Sequence, residues 1–392
     1  MRIALVTPYY APAYRGGGPI RTAVAMVAEH GARHEFLVLT GDTDWGCSQA
    51  LPVPTARWVE VGAARVWYAH ASSPRSLRAG LAQVRRAHPD VLYLNSVLHP
   101  QFSILPLTLA RLGYFGRARV LLAPRGELGE GALRLKQGKK AAFLALARAV
   151  GLHRRVTWHA SSPREAAEID AVFPGARVVI RENEVLLPER AVPPPAMPTG
   201  ATSAGAAGDA GVTDQPLRLV FVSRLAPKKG LHVVLAALAQ VREAVHLVVV
   251  GEGEPTYTHH CHALAAQLPG HISVEFVGAV PGERVGEYFA VADLFAFPTA
   301  HENFGHAVAE SLAASCPVLI ADVTPWTPVV GAGGGEIVRT LEAAAWAAAI
   351  ERWAGADAGQ RRQRRVTAGR AYDAWRAIRP QDSVFDLAYP DG

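Results

Sequence analysis

The chain has 392 residues, half of them hydrophobic, and a formal net charge of +6. That length exceeds the ~250–300 residues at which a single core stops growing, so two domains are the default. Cys47, Cys261 and Cys316 lie far apart with no CxxC pair, which excludes a disulfide framework and a thiolate zinc site and suits a reducing cytoplasm. No run approaches the ~18 apolar residues of a spanning helix. The start, MRIALVTPYY, lacks the apolar length and cleavage site of a signal peptide. A soluble or membrane-peripheral protein is expected.

Charge is unevenly divided. Residues 1–187 hold 24 Lys and Arg against 13 Asp and Glu, a balance of +11, whereas residues 188–392 hold 16 against 21, a balance of −5. A basic half suits anionic lipid head groups or a phosphorylated ligand. An arginine-rich composition from a GC-rich genome accounts for it equally.

Ile3–Thr7 is a short apolar strand that opens the first domain. Gly16-Gly17-Gly18-Pro19 then opens a helix over Ile20–His30. Pro19 suits a first helical position, and consecutive glycines let backbone N–H groups approach a phosphate closely; a plain tight turn is the alternative. The string is not GxGxxG, so no dinucleotide cofactor is inferred. Strands follow at Glu35–Thr40, Arg65–His70, Val91–Asn95, Arg119–Ala123, Val156–Ala160 and Arg177–Ile180. Helical patterns separate most of them, at Ser76–His88, Phe102–Leu112, Lys139–Leu152 and Pro163–Val172. This alternation predicts a parallel, doubly wound sheet.

Polar residues at the carboxyl ends of those strands are candidate ligand contacts. Arg125 and Glu127 follow the fifth strand, His99 lies just past Val91–Asn95, and His159 ends Val156–Ala160. Structural histidines are the alternative for the last two. Lys136, Lys139, Lys140, Arg148, Arg154 and Arg155 surround a helix with an apolar stripe, Phe143, Leu144, Ala147 and Val150. Such a helix either lies on an anionic membrane or packs its stripe on the core.

Pro188–Pro216 is rich in Pro, Ala, Gly and Thr, and its Ala-Gly core runs from Gly200 to Gly211. It reads as an exposed, flexible linker between a domain over 1–187 and one over 217–375. The second domain repeats the alternation. Leu217–Ser223 is a strand ending in Arg224. Lys228-Lys229-Gly230 then leads into a helix through Leu231, Val234, Leu235, Leu238 and Val241. Val245–Val250 with Gly251-Glu252-Gly253-Glu254, and Val274–Val277 with Gly278-Ala279-Val280, are further strands with glycine turns. Thr324-Pro325-Trp326 and Gly333-Gly334-Gly335 form a later loop. Helices over Leu341–Trp353 and Gln360–Ile378 close the chain.

The most informative stretch is Phe297–Ala321, FPTAHENFGHAVAESLAASCPVLIA. Asp293–Phe297 reads as a buried strand, the run through Ala307, Val308, Leu312 and Ala313 as a helix ended by Pro317, and Val318–Ala321 as the next strand. Glu302-Asn303-Phe304-Gly305 therefore sits at a strand-to-helix corner, at the sheet edge where open α/β sheets bind ligands. Glu310, eight residues after Glu302, shares its helix face. Two carboxylates with backbone N–H groups between them can hold hydroxyls and an anion.

Glu302 and Glu310 with Asn303-Phe304-Gly305 resemble the donor-site motif of the family-4 retaining glycosyltransferases of the GT-B fold. Ser223-Arg224-Leu225 with Lys229-Gly230 resembles that family's diphosphate-binding segment. The resemblance implies two doubly wound, Rossmann-like α/β domains facing across a cleft, the first binding the acceptor and the second a nucleotide-diphosphate sugar. It implies that Arg224 and Lys229 stabilise the departing diphosphate, that Glu302 binds a sugar hydroxyl, and that Glu310 holds the ribose. The backbone of Asn303, Phe304 and Gly305 would lie against sugar and phosphate. Gly17, Gly18, Gly251 and Val280 would complete the donor site, the last near the base. The tail, 376–392, is expected to cross back to the first domain, with Tyr372–Trp375 near the crossing. Family members need no metal, so Asp42-Thr43-Asp44, though a DxD, is not taken as a metal site. No cofactor beyond the nucleotide-sugar co-substrate and no nucleic-acid partner is expected. Glu182-Asn183-Glu184 departs from the family's usual Pro-Asn-Gly-type turn.

The resemblance implies a retaining glycosyltransferase acting by front-face displacement. Its acceptor is expected to be a polysaccharide or lipid-linked intermediate, with bacterial surface-polysaccharide transferases as the resemblance. A small natural-product acceptor is the second expectation. A non-catalytic partner subunit of the same fold is the alternative from a different class, and keeping Arg224, Lys229, Glu302 and Glu310 together argues against it. A cytoplasmic protein with peripheral contact to an anionic membrane is expected.

Overall fold

The computed structural model describes residues 1–70, 72–129, 133, 137–194 and 215–390. The chain divides into two compact units, Met1–Leu186 with Pro380–Gly392, and Leu187–Arg379.

The first unit is built on an eight-stranded sheet in the order β3-β4-β2-β1-β5-β6-β7-β8. The strands are β1 (Arg2–Val6), β2 (Glu35–Gly41), β3 (Trp58–Val61), β4 (Ala64–Ala69), β5 (Val91–Leu94), β6 (Arg119–Leu122), β7 (Val156–Ala160) and β8 (Arg177–Ile180). All pairings are parallel except β3 with β4. Helices cover both faces, so the strands are buried on both sides and read as continuous apolar runs. Side chains alternate between two cores. Ala4 and Val6 pack with Leu39, Leu92, Phe102 and Trp158, while Ile3 and Leu5 pack with Met26, Phe36 and Tyr93. The order reverses between β1 and β5, a topological switch point.

The antiparallel β3 escapes the sequence reading because it is a half-exposed edge strand with little apolar periodicity. The expected helix Phe102–Leu112 is a π-type turn, Pro100–Ile104, continued by Leu105–Arg111. The helix around the basic cluster spans Gln137–Ala149. Leu144 and Ala147 of its stripe face the core and Phe143 packs beside it, whereas Val150 is exposed. Lys136 lies outside the described residues, as does the side chain of Lys139.

The second unit carries a six-stranded, all-parallel sheet in the order β11-β10-β9-β12-β13-β14. These are β9 (Leu217–Val222), β10 (Val245–Val250), β11 (Ile272–Gly278), β12 (Leu294–Phe297), β13 (Val318–Ala321) and β14 (Gly335–Val338). The switch point lies between β9 and β12. Phe221, Leu247, Leu235, Trp346 and Ile350 belong to its core. Gly335, expected in a loop, begins β14; a Cβ there would stand 1.9 Å from Val318 O, so only glycine lets that edge strand pair.

Three expectations about the connections change. Linker residues 188–194 are pinned rather than free. Val192 N–H donates to Ala313 O (2.7 Å), Ala191 N–H to Asp373 Oδ1 (2.7 Å), and Ser315 Oγ to Val192 O (2.6 Å). The Ala-Gly core, Gly200–Gly211, lies outside the described residues. Tyr372 and Trp375 stay with the second unit: Tyr372 OH donates to Pro188 O, and Trp375 packs on Trp326 at 4.6 Å. The boundary expected at 375 falls inside a helix, Ala358–Ala377, and the first unit resumes at Pro380. There Val384 and Phe385 enter the Ile3–Leu5 core, and Arg181 donates to Asp382 O (2.8 Å) and Pro380 O (3.1 Å).

Candidate functional site

Two segments of the second unit leave β9 and β12 on either side of its switch point. After β9 the chain makes a single 3-10 turn, Pro227–Lys229, and enters the helix Leu231–Leu238 through Gly230. Gly230 adopts φ +78°, and a Cβ there would stand 2.1 Å from Pro298 O. Glycine is required for conformation and for space, and the closeness of the two loops follows from it. Ala300 N–H donates to Lys228 O (2.8 Å). The buried Thr299 hydroxyl lies 2.9 Å from His301 O and 3.2 Å from Lys228 O, completing the join.

This join brings Lys229 Nζ to 2.5 Å from Glu302 Oε2 and 5.2 Å from the Phe297 ring centre. The other Glu302 oxygen accepts the Asn303 N–H at 3.0 Å. Burial pushes the Glu302 pKa up, but Lys229, Lys228 and the Asn303 N–H outweigh it, so the carboxyl sits below its ordinary range. Burial draws the Arg224 pKa down and the Glu302 charge opposes that. Arginine stays cationic, so a half-buried Arg224 keeps its charge close to the pair.

Gly305, at φ +85°, ends the loop and starts the helix His306–Ala313, whose N-cap makes no side-chain hydrogen bond. Gly305 O accepts the Val308 N–H (2.9 Å), and the helix dipole is directed at the corner. Phe304 is buried, its ring 5.5 Å from that of Trp326, and its carbonyl accepts from Trp326 Nε1 at 2.5 Å. Trp326 is thus the floor that fixes the Asn303–Gly305 backbone. Glu310 lies one turn into the helix, half-buried. Gly251 takes φ +134°, and a Cβ would meet Ser223 O at 1.9 Å; its N–H donates to Gly278 O at 2.8 Å. That bond ties the turn after β10 to the turn before Val280.

In the first unit, Gly17 is the N-cap of the helix Gly18–His30 at φ +71°, and a Cβ would meet nothing within 4 Å. The loop before it is held by Asp44, which accepts the N–H groups of Tyr14 (2.9 Å), Arg15 (3.2 Å) and Trp45 (2.7 Å). Asp42 lies 2.7 Å from His70 Nδ1. Of the two DxD carboxylates, Asp44 thus organises the backbone before the glycine loop, and Asp42 meets the His70 side chain.

The acceptor candidates are corrected in part. Arg125 turns back at φ +53° and spends its guanidinium on Asn95 Oδ1 (2.7 Å), Tyr93 OH (2.6 Å) and Asn183 Oδ1. Asn95 in turn donates to Pro19 O at 3.2 Å, so Arg125 reaches the glycine loop through it. Glu127 accepts from Ser96 Oγ and from the Val97 and Leu98 N–H groups, all at 2.8 Å. It shapes the loop that carries His99. His159 is fully buried. Its Nε2 faces Arg181 O (2.8 Å) and so carries the proton, while Nδ1 accepts from Tyr93 OH (2.7 Å). Burial holds its pKa down to about 4. It is a structural histidine, out of reach of an acceptor. His99 is half-buried; its Nδ1 accepts Phe102 N–H (3.3 Å), which leaves the proton on Nε2, and burial lowers its pKa. The sequence reading passed over Glu165, whose buried carboxylate accepts from Gly126 N–H (2.7 Å), Ser161 N–H (2.7 Å) and Ser161 Oγ (2.6 Å). Its signal was a Ser162–Glu165 helix start.

A family model, "Glycosyl transferases group 1", matches residues 209–371. The second unit is a group 1 glycosyl transferase domain. A D-inositol 3-phosphate glycosyltransferase of Xylanimonas cellulosilytica is 34% identical over 137 residues, covering 34% of this chain and 33% of that protein. The chain spans about a third of the length of the curated relatives it matches. Solved structures cover both units. Anabaena HepE in complex with UDP and glucose matches with a TM-score of 0.65 and 18% identity, over 96% of this chain and 95% of that one. WaaG, a glycosyltransferase involved in lipopolysaccharide biosynthesis, matches at 0.61 and 16%, over 98% of each. These likenesses show the fold, GT-B with two Rossmann-like units, and the group 1 domain carries Arg224, Lys229 and Glu302 at its switch point.

Proposed function

We propose that the chain is a retaining glycosyltransferase that moves a sugar from a nucleotide-diphosphate sugar to a hydroxyl acceptor. The observation that carries this reading is the Lys229–Glu302 pair, 2.5 Å apart, with Arg224 beside it at the switch point of the group 1 domain. Arg224 and Lys229 meet the charge that grows on the leaving diphosphate, an electrostatic role that needs no metal. Glu302 accepts from a hydroxyl of the donor sugar, and Glu310 from the ribose. The N–H groups after Gly305 meet the phosphate and sugar. The bond from the sugar's anomeric carbon to the diphosphate oxygen breaks as the acceptor oxygen adds from the same face. The acceptor's proton passes to the departing phosphate, so no protein base is required.

A donor with UDP is the first to test, because HepE holds UDP and glucose. A polysaccharide or lipid-linked acceptor suits the basic first unit and the likeness to WaaG; peripheral contact with an anionic membrane from the cytoplasm suits both. No helix among the described residues is long and apolar enough to cross a membrane.

Thermal unfolding against a panel of nucleotide diphosphates and their sugars tests the reading. A ligand at ~100 times its dissociation constant adds roughly 2.7 kcal/mol. One nucleotide family is expected to stabilise the wild type and not Lys229→Ala. No response from any of them overturns the proposal.

A further inference from the structure

Strands β6, β7 and β8 of the first unit begin at a cavity of about 670 Å³. Arg111, Arg117, Arg119, Arg154, Arg155 and Arg177 all line it, and among the described residues no Asp or Glu does. Among the described residues none of the six sits in an ion pair, although Arg2, Arg33, Arg65 and Arg164 of the same unit each lie within 3.5 Å of a carboxylate oxygen. Two of the six are held in place by other means. Arg119 lies 4.2 Å over the Tyr389 ring, and Arg177 donates to Ala388 O at 2.8 Å.

The cavity is not part of the region assigned to the acceptor. The three strands pair in parallel, and the cavity takes their first residues, Arg119, Val156 and Arg177. The loops bearing His99 and Arg125, and the helix Pro163–Val172 whose first turn bears Glu165, follow the opposite ends of their strands. Strands of four and five residues at ~3.3 Å each separate the two edges by roughly 13–16 Å.

Six cations around one concavity repel one another, and among the described residues no carboxylate pairs with them. A ligand with several phosphate oxygens replaces that repulsion with charge-assisted, bidentate hydrogen bonds, for which the planar guanidinium is the matched donor. The volume falls within the ~300–1,000 Å³ of small-ligand sites. Apolar side chains, Leu107, Val120 and Leu152, form part of the wall.

We propose that this cavity is a second anion site, distinct from the donor site, for a ligand bearing two or more phosphate groups. Two sources supply that chemistry, a free polyphosphorylated molecule and the head groups of anionic lipid. Leu112 and Val150 distinguish them. They are 76% and 63% exposed and stand next to lining segments at 111–113 and 152, so a lipid surface would take both side chains and a free ligand neither.

The test uses the full chain, as wild type and as Arg224→Ala/Lys229→Ala, which removes the phosphate-facing cations of the second unit. Tripolyphosphate binding is measured by calorimetry at low salt, and binding to phosphatidylglycerol vesicles by sedimentation. Both are repeated with Arg111→Gln/Arg117→Gln/Arg154→Gln, three exposed residues with no hydrogen bond from the guanidinium among the described residues. The site predicts that at least one probe binds in both backgrounds and that the triple change weakens it roughly tenfold or more. Loss of vesicle binding in Leu112→Ser/Val150→Ser as well assigns the site to lipid; tripolyphosphate binding untouched by that change assigns it to a free ligand. Binding that the triple change leaves intact, binding abolished by Arg224→Ala/Lys229→Ala alone, or no binding of either probe overturns the proposal.

Discussion

Lys229 Nζ lies 2.5 Å from Glu302 Oε2, and the two residues come from opposite sides of the second sheet's switch point. Their side chains are only 14% and 15% exposed, so each charge depends on the other. Lys229→Ala leaves a largely buried carboxylate short of its main partner. Breaking a fully buried pair costs ~3–5 kcal/mol, and partial solvent access here reduces that to about 1–3 kcal/mol. The double variant Lys229→Ala/Glu302→Ala is expected to recover part of that loss and to stay silent toward nucleotides. Urea denaturation of the four proteins of the cycle measures the coupling; additive losses would show that the two charges act separately.

The same pair sets an acid response. The folded-state pKa of Glu302 lies below its ordinary 4.5, because Lys229, Lys228 and the Asn303 N–H outweigh burial. A carboxyl with a depressed folded pKa adds stability above its unfolded pKa and loses it as pH falls through the folded value. Glu302→Gln is therefore expected to flatten the decline in stability below pH 4.5 and to lower stability at pH 7. An unchanged acid slope in denaturation melts would remove Glu302 from that response.

Gly230→Ala tests the join on which the site depends. The new Cβ would stand 2.1 Å from Pro298 O at φ +78°. The strained conformation alone costs ~1–3 kcal/mol, and the clash has to be relieved by moving one loop. Either movement separates Lys229 from Glu302. The expected result is a lower melting temperature together with a weaker nucleotide response. A variant that melts lower yet binds nucleotide as the wild type does would mean that the Lys229–Glu302 geometry does not control donor binding.

Much of this was legible because the relevant signals are local. Leu5, Val38, Leu92 and Leu121 lie in strands buried on both faces, so their apolar runs stand out in one dimension. Arg224, Lys229 and Glu302 stand at strand-to-helix corners whose glycines are visible in the chain. Polar residues at the other unit's strand ends were harder to place. Glu127 and Arg125 look like cleft residues until the Val97 and Leu98 N–H groups and Asn183, distant in sequence, are seen to consume them. His159 fails for the same reason, since Tyr93 and Arg181 O reach it only once the sheet has formed. Trp58–Val61 was missed because an edge strand need not alternate or bury much.

Two buried histidines of the first unit make opposite predictions from one pKa direction. His153 and His159 are both held to about 4 by burial. Below pH 6.5 the unfolded chain takes up a proton that each folded ring refuses until about 4, so each contributes stability above 6.5 that is lost as pH falls through that window. His159 uses both ring nitrogens, on Tyr93 OH and Arg181 O. His153 has no hydrogen-bond partner for either nitrogen among the described residues, and its ring lies 4.5 Å from Phe173 and 5.4 Å from Trp158. His153→Phe therefore removes unsatisfied buried polar atoms and keeps the aromatic packing. It is expected to raise stability at neutral pH by ~1–3 kcal/mol and to flatten the loss between pH 6.5 and 4. His159→Phe removes the same titration but strands a buried hydroxyl and a carbonyl, so it should destabilise at neutral pH by a similar amount. Urea melts of both variants at pH 7.5 and 5 decide it. If the two changes shift stability in the same direction at pH 7.5, hydrogen bonding does not distinguish these sites and the assignment of His159 as the satisfied one is wrong.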